Sequence, residues 1–107
     1  MERRKASNEL RAQAFAALSD PKRLYILEAL IQQGEARADK IAQAVKEESA
    51  TILPHLGALR EAKLIIARRV GAYTYYRVVH APSINKILTS VDEMLMRIEE
   101  MRRKGEI

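Results

Sequence analysis

KIAQAVKEESATILPHLGALREAKL, residues 40–64, reads as a short amphipathic helix, a tight turn and a second helix of about three turns. Ile41 and Val45 fall four apart on one face of the first helix, and Ala38 and Ala42 are small enough to admit a partner. In the second, Ile52, Leu56 and Leu59 recur at spacings of four and three, the inward stripe of a helix. Thr51, His55 and Arg60 fall on its other face, with donors that suit phosphates or base edges. Two helices, a short turn and a polar outer face on the second meet the requirements of a helix-turn-helix.

Upstream, Leu10, Ala14, Phe15 and Leu18 form a helical stripe, and Ser19-Asp20-Pro21 marks a boundary. Asp20 can cap the next helix, and Pro21 fits its first turn, where no backbone donor is missed. Leu24, Leu27, Leu30 and Ile31 then face a core, and Gly34 supplies a left-handed stop. Downstream the period changes. Residues 64–70 (LIIARRV) and 73–79 (YTYYRVV) are apolar, β-branched and aromatic, with Gly71-Ala72 between them as a two-residue hairpin turn. A hairpin directly after a helix-turn-helix is a wing.

Pro82 opens the last segment. Ile84, Leu88, Val91, Leu95 and Ile98 step by four and three, while Ile87, Met94 and Met101 run alongside at intervals of seven. The strip is too wide for a solvent-facing helix. A helix of 20 residues would be about 30 Å long, more than so small a domain covers. Self-association through this strip, together with Leu10 on the first helix, is the expectation. A helix folded wholly onto its own core is the alternative.

Bulk properties fit one domain, with residues 8–81 as a winged-helix core and 82–104 as a dimerisation helix. The absence of cysteine removes disulfides and thiolate metal sites and suits a cytoplasmic protein. No apolar run approaches the roughly 20 residues that span a bilayer. Net charge is +5, and its placement says more than its size. Residues 1–5 contribute +2 through Arg3, Arg4 and Lys5, residues 60–80 contribute +4, and residues 21–48 sum to zero. Basic charge just past the second helix is the footprint expected for a polyanion.

From Phe15 to Val78 the chain resembles the ArsR/SmtB family of winged-helix transcriptional regulators. The resemblance is carried by FAALSDPKRLYILEAL, SATILPHLGALREAKLI and RRVGAYTYYRV, in order, over about 60 of the 107 residues. It implies a mostly α fold with a β-hairpin wing, and long terminal helices forming a dimer interface. It also implies a homodimer on pseudo-palindromic double-stranded DNA, usually as a repressor released by an effector. Thr51 and His55 lie where the family contacts DNA, Arg68 and Arg69 fall on the wing, and the final helix falls on the dimer interface.

Departures from the pattern are informative. Metal-sensing members carry a cysteine pair in the third helix, where this chain has Arg37 and Asp39. The final helix offers Asp92 and Glu93 but no histidine, and His80 precedes it. Three or four converging ligands are therefore not suggested, nor is any cofactor. Leu53-Pro54 stands where the family often has serine and histidine, so the helix should start late, near Thr51 or Ile52, or bend at Pro54. The family's turn glycine is Lys46, and its basic wing tip is Ala72.

The reading that follows is a dimeric DNA-binding regulator that does not respond to metal. Helix 50–62 enters the major groove with Ser49, Thr51, Leu53 and His55. Arg60 and Lys63 hold phosphates, and the wing, 66–78, brings Arg68, Arg69 and Arg77. Leu53 can meet a thymine methyl, or serve as an ordinary interface leucine. The competing reading is a dimeric protein-interaction module with weak or non-specific DNA binding, favoured by Leu53, Pro54 and Ala72. An enzyme is excluded by the lack of a glycine-rich phosphate loop, a nucleophile motif or a catalytic carboxylate pair. The sequence names no small-molecule effector.

Overall fold

The computed structural model describes residues 6–107; the basic arm with Arg3, Arg4 and Lys5 lies outside the described residues. Eight elements follow in order: α1 (Asn8–Ala17), α2 (Pro21–Gln33), β1 (Ala36–Arg37), α3 (Ala38–Val45), α4 (Ser49–Glu61), β2 (Ile65–Val70), β3 (Tyr73–Val78) and α5 (Ala81–Arg103). Their ends follow local chemistry. The Ser7 hydroxyl accepts from the Leu10 amide at 3.2 Å, and Asp20 Oδ1 accepts from the Lys22 amide at 2.8 Å. Each satisfies a donor that a helix start leaves free. Gly34, at φ 87°, ends α2.

The helix-turn-helix is closed by lysines rather than glycines. Lys46 follows α3 at φ 59°, and Lys63 follows α4 just past its C-cap at φ 66°. In both places the next amide reaches back into the preceding helix. Glu47 N donates to Ala42 O at 2.9 Å, and Leu64 N donates to Leu59 O at 3.0 Å. This bond pattern needs a left-handed residue, which glycine adopts most readily.

Of the two alternatives the sequence left for α4, the late start is not found. The helix begins at Ser49, not at Thr51 or Ile52, because the Glu48 carbonyl already accepts from Thr51 and Ile52 at 3.0 and 3.3 Å. Pro54 is therefore interior, and the Ala50 carbonyl loses the amide that would normally bond it.

The wing strands pair in antiparallel register, Ile65 with Val78 through Val70 with Tyr73, around Gly71 at φ 61°. A third strand, β1, sits on the other side of β3, pairing Ala36 with Tyr76 and Arg37 with Tyr75. Two residues are too few for an alternating pattern, so β1 was not legible beforehand.

Ile26, Leu27 and Leu30 of α2 meet Ile41 of α3 and Ile52, Leu56 and Leu59 of α4, with Ile65, Val78 and Ile84 closing the core. Leu24 and Ile31 are only half-buried, and Ile26 takes the inner position instead. The outer helices are less complete. Leu10 and Phe15 on α1 are exposed, and α5 buries only Ile84, with Leu88 packed beside it. Farther along, Val91, Met94 and Leu95 face outward, so α5 is not folded wholly onto this chain's core. The radius of gyration, 16.3 Å, exceeds the roughly 13 Å expected of a compact chain this long.

Leu59→Ala should cost about 2–5 kcal/mol in urea unfolding, because it opens a cavity at a fully buried site. Leu53→Ala, at an exposed site on the same helix, should stay within about 0.5 kcal/mol of the parent.

Candidate nucleic-acid interface

At 100° per residue, the buried line of Ile52, Leu56 and Leu59 fixes what the rest of α4 presents. Opposite it stand Ala50, Pro54, Gly57 and Glu61, all exposed. Leu53, which is 49% exposed, and Arg60 border this face on one side. Thr51 and His55 border it on the other and are half-buried. Ser49 opens the helix at the surface.

His55 is engaged within the fold. Arg23 Nε donates to its Nδ1 at 3.3 Å, and Arg23 Nη1 donates to the Ala17 carbonyl at 3.4 Å. A guanidinium has no acceptor, so in this contact Nδ1 carries the lone pair and Nε2 the proton. Sequence reasoning found His55 but not Arg23, which lies 32 positions earlier and reaches it only through the packing of α2 on α4.

On the wing, strand alternation separates neighbours. Arg68 pairs across from Tyr75 and Arg69 from Thr74, so their side chains leave opposite faces. Arg77 lies opposite Ile66, on the Arg68 face. Arg68 is held: its Nη2 and Nε donate to the two Glu35 oxygens at 2.5 and 3.2 Å. Its guanidinium also lies 5.9 Å from the Tyr75 ring, and Arg37 stacks 4.5 Å from Tyr73. Arg69 Nε donates to the Gly71 carbonyl at 3.3 Å, steadying the hairpin tip. Lys63, Arg60 and Arg77 are exposed, and no ion pair involves them among the described residues. Glu35 was not foreseen, since nothing in sequence links it to a wing 33 residues away.

Among the described residues the side chains at the positions of interest make other contacts. Arg37, at a position where metal-sensing members hold a thiolate, has no ligating lone pair and instead ties Asp39 at 3.0 Å. His80 Nδ1 and Ser83 Oγ share a hydrogen bond of 2.6 Å. Among the described residues no three His, Cys, Asp or Glu side chains gather.

The Arg68 hydrogen bonds hold the Glu35 carboxyl below its usual range, opposed by desolvation and assisted by the charges of Arg68 and Arg77. A depressed carboxylate keeps its partner above the ordinary glutamate pKa and loses it as pH falls through the lowered value. Carboxyl-carbon NMR should therefore place the Glu35 transition below that of an ordinary glutamate, and Arg68→Ala should move it back up. An unmoved transition would show that the pair does not persist in solution.

A family model described as bacterial regulatory protein, arsR family, matches residues 20–67. The chain is 35% identical, over 80% of its length and 96% of the relative's, to an uncharacterized HTH-type transcriptional regulator from Methanocaldococcus jannaschii. It is 34% identical to the transcriptional repressor SdpR of Bacillus subtilis, covering 74% of this chain and 90% of SdpR. The NMR structure of a homodimeric winged helix-turn-helix DNA-binding domain from Mycobacterium bovis, a possible ArsR-family regulator, superposes with a TM-score of 0.73. That match has 33% identity and covers 83% of this chain and 84% of that one. Core, helix-turn-helix, wing and relatives agree: the chain belongs to the ArsR family of winged helix-turn-helix, DNA-binding transcriptional regulators and is not an enzyme.

Proposed function

We propose that the protein is a homodimeric repressor of promoter DNA, working in the cytoplasm without a metal signal. The observation that carries this reading is the bare outward face of α4, bordered by the uncommitted cations Arg60 and Lys63 and followed by the wing. Two copies related by a two-fold axis would set their α4 helices into successive major grooves, about 34 Å apart, on a pseudo-palindromic site. Arg60, Lys63, Arg69 and Arg77 then neutralise phosphates. Arg68 joins them by exchanging Glu35 for a phosphate oxygen. Thr51 and the Nε2 proton of His55 stand at the border of the groove-facing side. The repressor sense follows the relative SdpR.

Dimerisation is supported by the apolar residues that α1 and α5 leave in water. Leu95, 54% exposed, sits in a strip with Val91 and Met94, alongside Ile87, Ile98 and Met101. A strip of this kind buries well against its own symmetry copy. The homodimeric relative from Mycobacterium bovis supports the same arrangement. Leu95 lies outside the core of one chain, so the Leu95→Glu variant should remain folded yet sediment as a monomer at micromolar concentration. A monomeric parent protein would refute the homodimer.

Lys63 separates stability from function. Its left-handed backbone is strained for lysine, and Lys63→Gly relieves that strain while giving up the charge at the helix end, so stability should stay within about 0.5 kcal/mol of the parent. The same change removes a phosphate contact from each subunit. It should flatten the slope of log affinity against log salt by about 0.9 per contact, hence about 1.8 per dimer. Arg69→Ala should flatten the slope equally and weaken all DNA alike. Zn²⁺, Ni²⁺ and Co²⁺ should leave DNA affinity unchanged in the same assay. Unaltered slopes in both variants would remove the wing and Lys63 from the interface. A parent protein with no salt-dependent DNA binding would favour the second reading, a protein-interaction module, for which the donor-free face of α4 speaks.

A further inference from the structure

We propose that the protein recognises its DNA site through thymine methyl groups, using the apolar strip Ala50, Leu53 and Pro54 on the exposed side of α4. The inference rests on the reading that α4 enters the major groove. Every base edge there carries hydrogen-bonding groups, and the thymine C5-methyl is its one apolar feature. Apart from Glu61 at its C-terminal end, this face of α4 carries no side-chain donor or acceptor from Ala50 to Gly57, so it cannot satisfy polar edges, and closing over them would leave them desolvated and unpaired. Such a face is complementary to methyl groups.

The geometry makes the strip continuous. Ala50, Pro54 and Gly57 follow at spacings of four and three on the side opposite the buried line, and Leu53 stands beside Pro54. Leu53 is the one leucine of α4 left in solvent, since Leu56 and Leu59 are buried. The two polar side chains nearest the strip on its other flank, Thr51 and His55, are half-buried, and Arg23 holds the imidazole. Gly57 carries no side chain and has nothing within 4 Å of where a Cβ would stand, so its role here is open access rather than internal packing. Arg60 lies seven residues beyond Leu53, about 10.5 Å along the axis, where it can hold the backbone while the leucine meets the base. Charge complementarity selects DNA as the occupant: the strip is bordered by Arg60 and followed by Lys63, both exposed, against the one carboxylate of Glu61 at the end of the face.

The test begins with sites recovered from a random DNA pool by the full-length protein. Thymines of the preferred site are then replaced singly by 2′-deoxyuridine, which keeps the base pair and its hydrogen-bonding groups and deletes only the methyl. One or two positions per half-site should lose about fourfold in affinity each, the worth of one buried methyl, and symmetric replacement should lose about sixteenfold. In Leu53→Ala, whose folding is checked by its unfolding midpoint, the uracil penalty at those positions should vanish. Uracil without effect at every position, on a site that the protein still selects, would overturn the methyl reading and leave the regulator intact. The same holds for a uracil penalty undiminished in both Leu53→Ala and Pro54→Ala. A protein that binds DNA without selecting any sequence would overturn both this inference and the promoter-specific function beneath it.

Discussion

The burial of Ile52, Leu56 and Leu59 fixes the rotational phase of α4, and nearly everything the protein presents to DNA follows from that phase. Three fully buried aliphatic side chains anchor one helix through roughly 5–8 kcal/mol of gross transfer free energy, before entropy is set against it. Turning α4 by half a turn would expose this stripe and bury Ala50, Pro54 and Gly57, which have little to bury. The exposed strip of α4 is thus the complement of the core stripe. Changes to one leave the other in place.

Around that helix the chain tolerates local strain in order to keep charge. Lys46 and Lys63 occupy left-handed positions where glycine would be easier. A lysine beyond a helix C-terminus gains from the macrodipole, but typically only 0.3–1 kcal/mol at an exposed site. That gain roughly offsets the backbone cost and does not exceed it, so stability alone gives no reason for the residue. A phosphate partner for Lys63 would supply one. The same trade appears at Pro54, which gives up a helix hydrogen bond and leaves an apolar surface in its place.

The fold was largely legible in the sequence, and the site only partly so. Helix caps at Asp20 and Gly34, the hairpin at Gly71-Ala72 and the stripe of α4 are local chemistry, readable over a few residues. For α4 the sequence left open a late start or a bend at Pro54, and the late start is not found, because the Glu48 carbonyl already accepts from Thr51 and Ile52. Strand β1 escaped because its pairing with β3 spans about 40 residues and leaves no period of its own. The partners of His55 and Arg68 escaped for the same reason. Arg23 and Glu35 lie 32 and 33 residues from the side chains they hold, and only packing brings them together. Periodicity also could not tell a half-buried polar flank from a free one, which is why Thr51 and His55 looked more available than they are.

The C-terminal helix carries the argument from one chain to two. α5 has 23 residues, about 34 Å of helix, yet only its first turns, at Ile84 and Leu88, rest on the core. The remainder has two ion pairs near its end, Arg102–Glu99 at 2.8 Å and Lys104–Glu100 at 3.2 Å. Such pairs add only about 0.2–0.5 kcal/mol each, too little to hold several unsupported turns firmly in water. Burial of Val91, Met94 and Leu95 against a second copy, as proposed, would supply the missing support and remove the exposed apolar strip in one step. In the proposed homodimer, ordering of this helix and pairing of the chains are therefore a single event. The rigidity with which two α4 helices are held apart, and so the spacing of DNA half-sites they accept, depends on that event rather than on the core of either subunit.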